Sequence, residues 1–223
     1  MNSKLPVVLA VTGASGSAYA MRLAQVLLSA GVPLELIVSE AARQVAHQEL
    51  GETFPRSVSP ADWLTYINSC TSRLLRTEGQ DGSEVSLEQI ADQFVVHDTK
   101  DLSGGPASGS YRTRAMVICP CSMGTLASVA SGCSTNLIHR AADVHLKERR
   151  HLILVPRETP LSTIALENML RLSNAGATIM PAAPGFYHRP AGIADLVDFM
   201  VARICDHLDI EHNLISRWGV PVP

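Results

Sequence analysis

Short, almost wholly apolar runs recur along the chain, and each has the length of one buried strand. Residues 7–12 are an example, since only the last of the six is polar. A strand that is covered by helices on both faces shows this continuous pattern instead of an alternation of apolar and polar positions. Similar runs predict further strands at residues 34–38, 94–97, 115–119, 152–155 and 177–181.

Amphipathic stretches separate these runs, with apolar positions at the three- and four-residue spacing of helices that lie on a sheet. Tyr19, Leu23 and Val26, for example, share one stripe. We predict helices at residues 17–29, 40–50, 60–75, 87–93, 123–132, 136–150, 162–175 and 193–208. Strands that alternate with helices predict a three-layer α/β domain, Rossmann-like or flavodoxin-like, with a mostly parallel sheet of about six strands.

The length and apolar content of the chain are sufficient for one substantial core. Of 223 residues, 46% are apolar, and a chain of this size needs no disulfide or metal to hold its fold. We therefore expect a single domain over residues 1–223, with a variable segment at 51–104 and a C-terminal tail at 205–223. The loop at 103–110 is rich in glycine and serine, which is typical of a linker or a mobile lid.

Charge and cysteine usage argue against several classes of function. The net charge is −3, without the basic field that drives nucleic-acid binding. No apolar run reaches the roughly 20 residues of a membrane span, and no secretory signal precedes the first strand. The five cysteines, an odd number, are typical of reduced thiols in a cytoplasmic protein. Because no His or Cys cluster has metal-ligand spacing, we expect no metal.

Two strand-to-helix turns contain small residues in an arrangement that suits phosphate. The first turn is Thr12-Gly13-Ala14-Ser15-Gly16, and the second turn is Pro120-Cys121-Ser122-Met123-Gly124-Thr125. A helix start offers unpaired N–H groups and a positive dipole end to an anion, although glycines also suit simple packing and Ser122 also suits an ordinary helix cap. Neither turn matches a dinucleotide fingerprint or a P-loop. Two such turns on one sheet predict one phosphorylated ligand between them.

Charged side chains follow a later strand at the same edge. Arg157 and Glu158 come after the strand at 152–155, and ligands of open α/β sheets bind beyond the carboxyl ends of the strands. A guanidinium suits phosphate or a flavin carbonyl, and a carboxylate beside it suits proton transfer. Tyr187 on a later loop and Arg203 on the last helix would supply a phenol and a second guanidinium.

The helix predicted at 136–150 presents another charged group. Arg140, Asp143 and Lys147 share one face, which is either part of a site or an ordinary solvated surface. We expect residues 148–150 to form a hydrophilic helix end with cations at the negative end of the helix dipole.

Six motifs in the same order resemble the UbiX-type flavin prenyltransferases, and the likeness covers residues 5–50 and 105–219. The motifs are Thr12-Gly13-Ala14-Ser15-Gly16, Pro120-Cys121-Ser122, Arg140-Ala141-Ala142-Asp143-Val144, Leu146-Lys147-Glu148-Arg149-Arg150, Pro156-Arg157-Glu158-Thr159-Pro160 and Pro184-Gly185-Phe186-Tyr187-His188-Arg189-Pro190. Each motif is modest alone, but their common order makes the resemblance specific.

The resemblance implies a set of ligands and partners. Members of that family join FMN and dimethylallyl monophosphate into prenylated FMN for UbiD-type decarboxylases, use no metal, and assemble as dodecamers with active sites between subunits. By resemblance, the residues that would bind FMN are Gly13, Ala14, Ser15, Ser39, Ser122, Met123, Gly124, Thr125 and Arg157. Those that would bind the dimethylallyl donor are Tyr187, Arg203, Arg140 and Lys147, the last two from neighbouring subunits.

The resemblance also implies catalytic roles. Lys147 and the arginines would stabilise the leaving phosphate, Glu158 would manage protons near that phosphate, and Ser15 with Glu49 would do so near the flavin ring. Only the resemblance singles out Glu49.

Two alternative functions remain open. One is an FMN-dependent decarboxylase that acts on peptidyl or pantothenoyl cysteine, although those enzymes carry Pro-Ala-Ser-Ala-Asn-Thr where this chain has the second turn, without the asparagine. The other is a non-catalytic flavin-binding subunit of a decarboxylase, which would not need the residues of a second phosphate site.

Overall fold

The computed structural model describes residues 5–76, 85–90 and 93–216. Parts of the predicted variable segment, at 77–84 and 91–92, and of the predicted tail, at 217–223, lie outside the described residues, as do residues 1–4. The described residues form a six-stranded sheet in which every strand pair is parallel. Its strands are β1 (Val7–Val11), β2 (Leu34–Val38), β3 (Phe94–His97), β4 (Ala115–Cys121), β5 (His151–Pro156) and β6 (Thr178–Ile179). The predicted fold class is confirmed.

Serine and asparagine side chains fix the start of several helices. The described helices are α1 (Ser17–Ser29), α2 (Glu40–Leu50), α3 (Pro60–Arg76), α4 (Leu87–Ile90), α5 (Met123–Ala130), α6 (Leu137–Lys147), α7 (Thr163–Asn174) and α8 (Ile193–His207). Ser39, Ser122, Asn136 and Ser162 each accept a hydrogen bond from the backbone N–H three residues later. Such caps satisfy donors that the helix itself cannot.

The helices cover both faces of the sheet, which explains why β1 is apolar throughout. One core cluster joins Leu9 to residues of α1, α3 and α8. The other joins Ala10 to residues of α5, α6 and α7 on the opposite face. Side chains of successive strand residues point to opposite faces, so the two clusters form the inner surfaces of a three-layer structure.

The strand order is β3-β2-β1-β4-β5-β6, which is the order of the Rossmann fold. Right-handed crossovers from β1 therefore run in one direction and those from β4 in the other. The loops that follow β1 and β4 diverge at this point, and the crevice between them is where open α/β sheets bind ligands. Both small-residue turns lie there.

The structure differs from the sequence prediction at three places. β4 continues to Cys121, and β6 has only two residues, because it pairs only with β5 at the sheet margin. The prediction that residues 148–150 continue a helix is wrong. Arg149 takes a left-handed φ of 53°, and this turns the chain back so that Arg150 N donates to His145 O (2.8 Å).

The 103–110 loop packs on α6, so it does not link two separate sheets. It contains a short 3-10 turn, Gly105–Ala107, in which Pro106 is buried. Within the described part of the chain, no helix is long and apolar enough to cross a membrane.

Candidate functional site

Thr12 ties the two turns together at the carboxyl edge, the edge of the sheet at which the strands end. Its hydroxyl donates to Pro120 O (2.8 Å) and accepts from Ser122 N (2.8 Å). Its backbone N–H also donates to Pro120 O (3.2 Å), and Ala14 N donates back to Thr12 O (2.9 Å). Since Thr12 is only 2% exposed, these bonds are shielded from water and hold the two turns side by side.

Glu49, from the end of α2, caps the first turn. Its carboxylate accepts hydrogen bonds from Gly16 N (2.9 Å) and Ser17 N (2.8 Å), and the Ser15 side chain adds another. Burial raises the pKa of Glu49, but these hydrogen bonds outweigh it and hold the pKa below its ordinary value. The structure therefore brings Ser15 and Glu49 together, with Glu49 ionised at neutral pH.

The first turn also lies against the start of α2. A Cβ placed on Gly13 would come within 2.6 Å of the Ala41 Cβ, so this close approach requires glycine. Ser39 caps α2 by accepting from Ala42 N (3.1 Å), and its own N–H donates to Val11 O (3.0 Å). Ser39 and Gly13 thus belong to one junction at the end of β1 and β2.

The second turn leaves room in front of α5. Ser122 is an N-cap, as one of the two alternatives predicted, since its hydroxyl oxygen accepts from Thr125 N (3.3 Å). That hydroxyl donates to Thr125 Oγ1 (3.1 Å). Met123 packs on the core, whereas Gly124 is exposed and a Cβ there would meet no atom within 4 Å. The cap and an anion beside Gly124 are therefore compatible.

Arg157 and Glu158 project from the carboxyl edge after β5. Arg157 N donates to Cys121 O (3.4 Å), which fixes its backbone beside the second turn. Among the described residues, its exposed guanidinium has no hydrogen-bond or ion-pair partner. Glu158 is also exposed and, within the described part of the chain, its carboxylate accepts only a local bond from Thr159 N (3.0 Å). Both charged groups are available to a ligand.

Tyr19 joins the same group of residues, although sequence analysis assigned it only to the apolar stripe of α1. Its ring packs on Gly16, where a Cβ would lie 2.8 Å from Tyr19 Cδ2. Burial is the main cause that raises the pKa of Tyr19, with Cys119 and Glu49 adding to it and Arg157 opposing it. A phenol three residues after a glycine turn is the signal that would have found it.

Tyr187 and Arg203 lie on the α8 side of the sheet. The Tyr187 ring meets Phe199 edge-on, with 5.7 Å between ring centroids, and is exposed. Arg203 follows Phe199 by one helical turn and donates to Asp206 (2.8 Å). Both side chains reach solvent.

Arg140 and Lys147 lie on α6, on the other face. Arg140 Nε donates to Ala107 O (3.0 Å), and its Nη1 pairs with Asp143 (2.6 Å). Lys147 forms an ion pair with Glu148. The predicted charged face of α6 therefore contacts the 103–110 loop and is not simply solvated.

The structure does not bring all the predicted site residues together within one chain. α6 starts near the carboxyl edge, where Leu137 N donates to Thr99 O (2.8 Å), and a helix rises 1.5 Å per residue, so Lys147 lies about 15 Å further on. Arg203 is on the opposite face from Lys147. Ser15, Glu49, Ser122 and Arg157 share one edge, whereas Lys147 and Arg203 do not reach it from the same chain.

The cysteines near the second turn are inert. Burial raises the pKa of Cys121 to about 12 and that of Cys119 further, so both remain small, protonated side chains. Within the described ranges, no group of three or more His, Cys, Asp or Glu residues could hold a metal ion.

The residues at the strand-order reversal fit FMN. The start of α5 lies beside the first turn there, the space before Gly124 is open, and Arg157 offers a positive charge with no ion-pair partner among the described residues. Backbone donors and a guanidinium are the groups that bind a phosphate and a flavin carbonyl. Ser15 and Glu49 stand beside this space.

Comparison with known proteins agrees with this geometry. The model of the Flavoprotein family matches residues 1–205. The flavin prenyltransferase UbiX of Pseudomonas aeruginosa is 46% identical over 96% of this chain and 93% of its own length. The enzyme of the same name from Alkalihalophilus pseudofirmus is also 46% identical, over 94% of each chain.

Solved structures show the same likeness. AnUbiX (PadA1) in complex with FMN and dimethylallyl pyrophosphate has a TM-score of 0.77 and 34% identity, over 98% of this chain and all of the other. A dodecameric FMN-dependent UbiX-like decarboxylase from Escherichia coli O157:H7 has a TM-score of 0.76 and 35% identity, over 97% of this chain and all of the other. The chain therefore belongs to the flavoprotein family and, within it, to the UbiX flavin prenyltransferases.

Proposed function

We propose that this protein transfers a dimethylallyl group from dimethylallyl monophosphate to reduced FMN, at N5 and C6, and so makes prenylated FMN. The observation that carries the proposal is the pair of turns that Thr12 holds together, with Arg157 and Glu158 in front of them. Membership of the UbiX family and the FMN complex of AnUbiX support it. FMN, when bound, supplies the nucleophile for the transfer.

We propose that the residues of the two turns hold FMN while charged side chains act on the donor. The FMN-binding set is Gly13, Ala14, Ser15, Ser39, Ser122, Met123, Gly124, Thr125 and Arg157. Breaking the C–O bond of the donor releases a phosphate, and fixed cations stabilise the charge that develops on it. Tyr187, Arg203, Arg140 and Lys147 would supply those groups.

Carboxylates would manage the protons. Glu158 is exposed at the carboxyl edge and has no cation paired to it among the described residues, so its carboxylate can exchange a proton with the leaving phosphate. Glu49 is held ionised by Gly16, Ser17 and Ser15. It would accept a proton near the flavin through Ser15.

Active sites between subunits would bring Lys147 of one chain to the carboxyl edge of another. Lys147 lies far from the carboxyl edge of its own chain, yet is exposed, as a residue must be to complete a neighbour's site. The E. coli neighbour is a dodecamer, and we propose the same assembly here.

The decisive experiment is anaerobic incubation of the protein with reduced FMN and dimethylallyl monophosphate, followed by mass spectrometry of the released flavin. We expect a flavin heavier by one C5H8 unit. A parallel reaction with the diphosphate tests the choice of donor. Folded, FMN-binding protein that yields only unmodified FMN from both donors would refute the proposal.

Variants at two carboxylates give a matched comparison. Glu158→Gln should bind FMN normally but form no prenylated flavin, whereas Glu167→Gln, an exposed carboxylate on α7, should behave as wild type. Delivery of the product to a UbiD-type decarboxylase is tested by adding the reaction mixture to such an apoenzyme and measuring CO2 release. The cytoplasmic location stays a prediction.

The cysteine-decarboxylase alternative has weaker support. TvaF, an FMN-dependent cysteine decarboxylase, shares only the fold at 18% identity and a TM-score of 0.52. Release of CO2 from a peptide with a C-terminal cysteine, without prenylated flavin, would favour it.

A further inference from the structure

Arg150 clamps the loop that approaches α6 from the 103–110 segment. Its Nη2 donates to Gly109 O (2.5 Å) and its Nη1 to Tyr111 O (2.6 Å). A planar guanidinium can bond two carbonyls at once, whereas a lysine ammonium on its single stem cannot match that fork. The left-handed turn at Arg149 directs the side chain back to this loop.

The segment beyond the clamp is anchored in the core. Thr113 Oγ1 bonds His145 Nε2 (2.8 Å), and His145 Nδ1 bonds Ala141 O (2.7 Å). Burial lowers the pKa of His145 to about 4, so the ring is neutral, donates from Nδ1 and accepts from the threonine. The Thr113 oxygen also lies 3.5 Å from Arg150 Nη1.

A second anchor holds the ring of Tyr111. Its hydroxyl donates to the buried carboxylate of Glu35, and His97 Nε2 lies 2.9 Å from that carboxylate. Arg150 thus bonds a segment that is already anchored to the core at two residues, Tyr111 and Thr113. Arg140 also bonds Ala107 O on the other side of Gly109 (3.0 Å), so a change at Arg150 acts mainly on the short stretch around Gly109.

Gly109 is pressed against the functional end of α6. A Cβ at Gly109 would come 2.7 Å from Lys147 Nζ and closer still to Glu148 Oε1. Ser108 and Ser110 flank the glycine, and their hydroxyl oxygens are 2.9 Å apart. The Lys147 ammonium, which is paired with Glu148, therefore lies directly against the backbone at Gly109, and its free space depends on where Gly109 lies.

We propose that Arg150 is a positioning residue for donor binding, which rests on the proposed function. It does not touch the donor. It holds Gly109 against Lys147, so that the ammonium and the loop form one preorganised surface for the phosphate of dimethylallyl monophosphate. Loss of the Arg150 bonds lets Gly109 move away from Lys147 and leaves the ammonium free to reorient. This weakens binding of the donor phosphate more than it affects FMN binding or the rate of the bound complex.

The test compares kinetic constants in the assembled, FMN-loaded protein. Arg150→Lys should raise the KM for dimethylallyl monophosphate about tenfold, while kcat and the Kd for FMN stay within about twofold. Arg171→Lys is the matched control, because Arg171 also donates to a backbone carbonyl, Ala130 O (3.4 Å), from the last turn of α7. It should leave all three constants unchanged.

Gly109→Ala supplies an independent variant that keeps Arg150. It should raise the KM for the donor in the same way, and the double variant should be no worse than the poorer single variant, because both disturb one contact. An unchanged KM for the donor in Arg150→Lys overturns the proposal. If Arg150→Lys does not fold, an unchanged KM in Gly109→Ala overturns it. A parallel rise of the FMN Kd overturns it too, since that indicates a general structural role.

The wild-type protein distinguishes failure of the proposed function from failure of the role proposed for Arg150. Wild type that forms no prenylated flavin refutes the prenyltransferase assignment. In that case, calorimetric titration with inorganic phosphate still compares the phosphate affinities of wild type and Arg150→Lys, because it requires no turnover. Equal phosphate affinities in the two proteins refute the role of Arg150.

Discussion

The carboxyl edge around Thr12 and the α6 end around Lys147 are both suited to phosphate, but they are built differently. At the carboxyl edge, neighbouring strands bring two turns together, and one buried hydroxyl joins them. At the end of α6, Arg150 holds a loop through main-chain carbonyls. The first arrangement follows from sheet topology, and the second depends on individual side chains. The proposed flavin site is therefore formed within one chain, whereas the proposed donor site includes side chains that lie away from the carboxyl edge.

The largest expected effect tests this division directly. Lys147→Met and Glu158→Gln should each lower kcat/KM for the donor by about a thousandfold. If a site takes Lys147 from one chain and Glu158 from another, the two inactive variants, denatured and refolded together, should regain activity. About a quarter of the wild-type rate is expected, since about one site in four would then contain both native residues.

The control for this refolding experiment mixes two variants whose substituted residues both lie at the carboxyl edge. Glu158→Gln refolded with Ser15→Ala should stay inactive if both residues come from one chain, as their common edge suggests. Recovery in that mixture, or none with Lys147→Met, would contradict the division between the two regions.

The next effect breaks the carboxyl edge alone. Thr12→Val keeps the shape of the side chain but leaves Ser122 N without its partner, while Pro120 O keeps only the bond from the Thr12 backbone N–H. This should lower the free energy of unfolding by about 1–3 kcal/mol. FMN affinity should fall in the same variant. Urea unfolding and quenching of flavin fluorescence measure the two quantities. Thr65→Val, which removes an exposed threonine bonded to Ala61 O, should change stability by less than about 0.5 kcal/mol.

The same contrast explains what the sequence could predict. The strands were found because a sheet covered on both faces requires continuous apolar runs, and α1 and α2 were found with the bounds that the structure shows. The two turns follow from those bounds. Thr12 was visible as part of a motif, but its bond to Pro120 spans 108 residues. No local period encodes a contact of that separation.

The end of α6 shows a second limit on prediction from sequence, namely that composition does not reveal contacts. Residues 148–150 have the composition of a hydrophilic helix end, yet Arg149 adopts a left-handed conformation and Arg150 turns inward. The loop at 103–110 has the composition of a lid, yet contacts from Arg140 and Arg150 hold it. Composition reports solvation and flexibility of a segment in isolation, and it carries no information on partners elsewhere in the chain.

A smaller effect is the pH dependence of the first turn. The pKa of Glu49 is lower folded than unfolded, so its contribution to stability is present above the unfolded pKa of about 4.3 and is lost as pH falls through the folded pKa. Glu49→Gln should lower the free energy of unfolding by up to about 1 kcal/mol at pH 7, limited by solvent exposure. The difference from wild type should vanish once the pH has fallen below the folded pKa of Glu49. A difference that is constant from pH 7 to pH 3 in urea unfolding would contradict this account.

The smallest effect has the opposite sign and belongs to the α6 end. Glu148 pairs with Lys147, and if Lys147 binds the donor phosphate as proposed, a carboxylate beside it repels the donor. Glu148→Gln should therefore lower the KM for dimethylallyl monophosphate about twofold at low salt, and the gain should disappear near 0.5 M salt because exposed charges are screened. Glu167→Gln changes the net charge equally but should leave the KM unchanged. A higher KM in Glu148→Gln would mean that the carboxylate orients Lys147 more than it repels the phosphate, and the ion pair would then belong to the clamp that Arg150 completes.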